Sequence, residues 1–191
     1  MKRYVGIDPS TKTGFVALDE HGQVLRAKEL AGIGAKDPKR MRTMIVDIIG
    51  HMKKDDFVCI EGFGFASQQA IQNGGIGWGI RMSLEAKGFN YHEVAPNALK
   101  KFVNVTDWKG EPGSKVRLKA NEKKKAVMQS VLEHYGFKHK SDNVVDAYVL
   151  AQIARHIHQG AEALTDKPYQ LEVVQTILNP PVKKKKVKKG S

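Results

Sequence analysis

The apolar run Phe57-Val58-Cys59-Ile60 ends directly in a carboxylate, Glu61. A run without polar alternation fits a strand covered by helices on both faces, which calls for an α/β layer structure. The surrounding pattern agrees. Arg3-Tyr4-Val5-Gly6-Ile7 reads as a first strand ending at Asp8, and Pro9 to Gly14 has the composition of a turn. Phe15–Leu18 and Gln23–Ala27 flank Asp19-Glu20-His21-Gly22 as the arms of a hairpin. Met41, Ile45, Ile48, Ile49 and Met52 recur at helical spacing over 38–53.

After Glu61, the glycine- and glutamine-rich stretch 62–79 predicts loop first and helix second, ending near Lys87-Gly88. Residues 89–94 alternate like a strand, and Pro96 starts a short helix through Phe102. Residues 103–118 have the composition of an exposed loop, whereas helical periodicity returns over 119–135 and 143–158. The order is three strands, helix, strand, helix, strand, helices. Parallel central strands in such a structure collect functional groups at their carboxyl ends, where Asp8 and Glu61 stand.

Asp142 and Asp146 lie four residues apart at the start of the last long helix, so both can address the same cleft. Like charges at that spacing repel unless a cation lies between them, and clustered hard oxygen donors suit divalent ions. Each acid also has a plainer reading. Asp8 before Pro9 suits a turn, and Asp142 after Ser141 suits a helix first turn. Asp146 is harder to explain that way, because Val144, Val145, Val149 and Leu150 surround it. No histidine-cysteine grouping competes as a zinc site: Cys59 is the sole cysteine and reads as a buried small hydrophobe.

The net charge of +12 is unevenly placed, since residues 97–140 hold 11 Lys/Arg against 4 Asp/Glu and the last nine residues carry six lysines. Two basic blocks make nucleic acid the leading partner class. Lys119, Lys123, Lys124 and Lys125 fall on a helix just before the acidic one and are candidate phosphate contacts, with Lys100 and Lys101 as a second group. Phe65, in the glycine-bearing stretch after Glu61, is the candidate to wedge against an unstacked base. The glycines from Gly74 to Gly79 lack the strand, spacing and later acid of a dinucleotide loop.

Taken together, Val5-Gly6-Ile7-Asp8-Pro9 with Gly14, Ile60-Glu61 with Phe63 and Phe65, and Asp142 through Asp146-Ala147 resemble a RuvC-type Holliday-junction resolvase of the ribonuclease H-like superfamily, of the kind bacteriophages encode. The stretch from Pro96 through Lys100 and Lys101 to Ala120 and Lys123-Lys124-Lys125 extends the likeness, which covers roughly residues 3–158. The resemblance implies a mixed five-stranded sheet flanked by helices and a homodimer on a four-way DNA junction. It also implies symmetric cleavage of two strands with Mg²⁺ or Mn²⁺, two ions per site. Asp8, Glu61 and Asp146 match the shared carboxylates, while Asp142 supplies the fourth in a variant spacing, because Asn143 stands where members commonly place an acid or histidine. Ser10 stands where glycine is usual.

The expected organisation is a nuclease domain over 1–160, a peripheral segment over 161–181 and a flexible basic tail over 182–191. The tail is expected to add salt-sensitive, nonspecific DNA affinity. Without a signal-peptide core or a long apolar run, the expected compartment is a reducing cytoplasm, that of a bacterial host for a phage protein; the lysine-rich tail leaves a nuclear signal open. Three other readings remain: a flap, fork or RNA–DNA hybrid nuclease of the same fold, a noncatalytic branched-DNA-binding protein, and an actin-like ATPase. The last needs a duplicated domain that 191 residues do not provide.

Overall fold

The opening strand, β1 (Tyr4–Asp8), is buried along its length and forms the centre of a five-stranded sheet in the computed structural model. The structure describes residues 1–63, 70–111 and 113–180, so Phe65 and the basic tail lie outside the described residues. β2 (Thr13–Leu18) pairs antiparallel with β1, and β3 (Val24–Leu30) antiparallel with β2. On the other side β4 (Phe57–Glu61) pairs parallel with β1, and β5 (Tyr91–Val94) parallel with β4. The sheet order is β3-β2-β1-β4-β5.

Alternation along the strands divides the interior in two. Val5, Ile7, Phe15, Val58 and Ile60 face α1 (Lys39–His51) and α2 (Ala70–Ala86). Tyr4, Val16, Leu18 and Cys59 face a larger core built on α5 (Asp142–Gln159), with α3 (Pro96–Phe102) and α4 (Ala120–Tyr135) around it. Helices on both faces explain why the β4 run shows no polar alternation. The hairpin turn is held by Asp19, whose carboxylate accepts the amides of His21 and Gln23, with Gly22 at φ +81°.

Two segments, 103–118 and 161–178, depart from expectation, whereas the helix expected after Glu61 forms. α2 runs straight through Gly74, Gly75, Gly77 and Gly79, despite the helix propensity they forfeit. A Cβ on Gly79 would lie 2.4 Å from Ile45 Cδ1, and one on Gly77 2.8 Å from the Phe63 ring, so the missing side chains let α2 approach its neighbours. The loop 103–118 carries a small hairpin of β6 (Trp108–Lys109) and β7 (Val116–Arg117). Residues 161–178 form α6 (Ala161–Leu164) and α7 (Pro168–Leu178), and they are not merely peripheral. Val173 and Val174 of α7 are buried in the α5 core, and Gln170 Nε2 donates to the Phe102 carbonyl at 3.0 Å.

α5 lies directly on β1 and β2. A Cβ on Gly6 would fall 1.9 Å from the Ala147 carbonyl oxygen, and one on Gly14 1.9 Å from that of Asn143. Both obstacles are backbone, so neither can yield as a flexible side chain does. Gly6→Ala is therefore expected to destabilise the fold by about 3 kcal/mol in urea denaturation. Gly50→Ala meets nothing within 4 Å and should be neutral or gain up to about 1 kcal/mol as a helix residue.

Candidate active site

The parallel register pairs Ile7 with Ile60, which brings the next residues, Asp8 and Glu61, side by side at the carboxyl ends of β1 and β4. Both share the strand parity of Tyr4 and Cys59 and therefore point to the α5 face. There α5 begins. The Gly14 contact seats Asn143 on β2 and the Gly6 contact seats Ala147 on β1, so Asp142 and Asp146, one residue before each, are carried over the same strand ends. Asn143 turns away from the acids, and its Nδ2 donates to the Lys12 carbonyl at 2.8 Å, tying the β1–β2 turn to α5. Ser141 precedes the helix without capping it, and its buried Oγ has no hydrogen-bond partner.

Electrostatics show that the four acids sense one another. Burial, then the charge of Glu61 and a hydrogen bond shared with it, raise the Asp8 carboxyl well above the ordinary range. Burial likewise pushes Glu61 up to about 7, with Asp146 adding to the rise and Lys100 opposing it. Asp146 is raised well above its usual value by burial, and then by Asp8 and Asp142. Asp142 differs. Burial works against its ionisation too, but its pairing with Lys124 and backbone amide donors hold it below the ordinary carboxylate value.

The basic residues separate into groups that the sequence did not reveal. Asp107 binds Lys100 Nζ at 2.9 Å and Lys123 Nζ at 3.1 Å, with Arg117 at 3.8 Å, and these ammonium groups press its carboxyl down to about 2. Lys101 pairs with Glu172, and Lys124 pairs with Asp142. Lys119 begins α4, where its backbone amide donates to Glu122 at 2.7 Å, and Lys125 is exposed. Asp107 was missed because it stands in a loop-like stretch; its one signal was being an acid inside a strongly basic block. The histidines serve packing: His156 meets the Phe102 ring edge-on, and His158 lies 3.9 Å from the Phe57 ring centroid.

As positioned, no three His, Cys, Asp or Glu residues among the described ones form a ready metal cage. The donor chemistry nevertheless fits a hard divalent ion, since the coupled groups are all carboxylates and three of them resist ionising without a cation beside them.

Comparison with solved structures places the chain's architecture. Thermus thermophilus RuvC in complex with a Holliday junction substrate superposes with a TM-score of 0.56 at 13% identity, covering 84% of this chain and 97% of that one. Thermus thermophilus RuvC alone gives 0.55 at 16%, covering 83% and 96%. The fold is ribonuclease H-like. No family model and no curated protein sequence matches the chain.

The raised carboxyls carry a pH signature. A carboxyl whose folded pKa exceeds its unfolded one contributes stability that is present below about pH 4 and lost as pH rises through the folded value. For Glu61 that loss is spread from its ordinary value up to about 7. In EDTA at pH 8, Asp146→Asn is expected to melt above the native protein, by roughly 2–4 °C for each kcal/mol of repulsion relieved. Calorimetry at pH 5 should show the gap shrink.

Proposed function

We propose that the chain is a structure-selective endodeoxyribonuclease that resolves four-way DNA junctions by paired, metal-dependent phosphodiester hydrolysis. The observation that carries this reading is the convergence of Asp8, Glu61 and Asp146 from β1, β4 and α5 into one electrostatically coupled group. The likeness of fold to a RuvC seen with a Holliday junction supports the substrate, and the sequence motifs support a bacteriophage-type member.

In this mechanism Asp8, Glu61, Asp142 and Asp146 would hold Mg²⁺ or Mn²⁺, two ions per site. When bound, the metal supplies Lewis acidity at phosphate and lowers the pKa of the attacking water. The carboxylates orient that water in line with the scissile bond, and cleavage leaves 5′-phosphate and 3′-hydroxyl ends. Lys119 just before α4 and Lys123, Lys124 and Lys125 on it, with Lys100 and Lys101 on α3, track the DNA backbone. Phe65 supports the branch point by stacking, and the 182–191 tail adds affinity without sequence choice. Each chain brings together one such acidic site among the described residues, so two symmetric cuts call for a homodimer. No described helix is long and apolar enough to cross a membrane, which suits a cytoplasmic encounter with DNA.

One observation favours a second reading. Without a ready metal cage among the described residues, a noncatalytic branched-DNA-binding protein would need no rearrangement of the acids. Strand-labelled four-way junctions, flaps, RNA–DNA hybrids and linear duplexes incubated with Mg²⁺, Mn²⁺ or EDTA separate the alternatives. Symmetric, metal-dependent nicks confined to junctions are expected. Asp146→Asn should lower cleavage by more than about 100-fold, beyond the loss typical of a merely ligand-orienting group, while retaining junction binding. Equal cleavage of all substrates would assign a general nuclease, and tight junction binding without nicks the noncatalytic protein.

A further inference from the structure

α4 packs beside α5 and directs Lys124 at the acidic group from the solvent side. Its ammonium pairs with the Asp142 carboxylate, and its charge also reaches Asp8 and Asp146. The other lysines close to the site are engaged elsewhere: Lys100 and Lys123 are both held by Asp107. Lys124 thus stands alone among the described ion pairs in using one of the four candidate acids.

We propose that Lys124 is an internal latch: it occupies Asp142 in the DNA-free protein, and the phosphate backbone releases Asp142 for metal by drawing the ammonium away. The inference rests on the nuclease reading above and assigns that site a substrate-controlled step of assembly.

The geometry suits a reversible contact. The Lys124 side chain is 58% exposed and that of Asp142 29%, so the pair forms at the rim, where a flexible four-carbon stem can swing without disturbing the core. An ammonium on Asp142 is also a like charge beside any incoming divalent ion. Metal and Lys124 therefore compete for one carboxylate, whereas metal and DNA assist each other, and linkage makes that assistance reciprocal.

The test is Mn²⁺ binding to the DNA-free protein, read by electron paramagnetic resonance. Lys124→Gln is expected to bind Mn²⁺ about tenfold more tightly than the native chain, within the usual range of coupling between sites. Lys125→Gln, which removes an exposed charge one residue along α4, should change affinity less than twofold. In an Asp142→Asn background, the gain from Lys124→Gln should fall to less than twofold, the residue of its charge on Asp8 and Asp146, which isolates the pair from general charge. Circular dichroism verifies folding of each variant. A second arm measures Ca²⁺ affinity by calorimetry with and without saturating four-way junction, where DNA should raise the affinity of the native protein more than that of Lys124→Gln.

Native and Lys124→Gln proteins binding Mn²⁺ equally, or an equal gain from Lys125→Gln, would overturn the latch and leave the nuclease reading standing. Equal DNA-induced gains in Ca²⁺ affinity would overturn release by DNA. Absence of Mn²⁺ binding in every variant would remove both the latch and the metal-dependent nuclease.

Discussion

The contact between the α5 backbone and the two strands beneath it governs the rest of the molecule. Gly6 and Gly14 present no side chain, so the carbonyls of Ala147 and Asn143 rest where a Cβ would otherwise stand. From that seating follow the depth of the α5 core and the placement of Asp142 and Asp146. The Asn143 bond to the Lys12 carbonyl then fixes the turn that leaves Asp8. A helix held this closely cannot slide without breaking backbone contacts on two strands. The acids at its start are therefore as rigid as the sheet.

That rigidity works against the acids themselves. Asp8 is buried and Glu61 and Asp146 are half-buried in a shared recess, and desolvation is the leading cause of each raised carboxyl. A fold selected for stability alone would place apolar groups there, since unpaired buried charge is costly. The surrounding helices return only partial compensation. Lys124 reaches Asp142, and Lys100 moderates Glu61 and Asp146 while bound to Asp107. Asp107 thereby organises two lysines that would otherwise repel each other, setting a basic surface beside an acidic recess.

Much of this was legible in the chain because it depends on local pattern. The β4 run announced a strand between two helical layers, and its terminal Glu61 announced an acid with nowhere apolar to go. Asp146 stood out among valines for the same reason. What periodicity could not convey was contact between distant segments. Where loop gives way to α2 was not legible, because the benefit of the α2 glycines lies in the approach of Ile45 and Phe63, which propensity does not contain. α7 read as peripheral because its burial depends on Phe102 and the α5 core, and the partners of Asp107 lie 7 and 16 positions away. The spacing of Asp142 and Asp146 was visible, whereas the pairing of Asp142 with Lys124 required the packing of two helices.

The seating of α5 also bears on how much sequence change the fold can absorb. Main-chain atoms are common to every residue type, so a join made from them constrains only the few places where a side chain must be missing. Most of the interior can drift through compatible hydrophobic replacements while the spacing between strand ends and helix start is preserved. What such a join cannot tolerate is one added carbon at either of two small gaps between backbone and backbone.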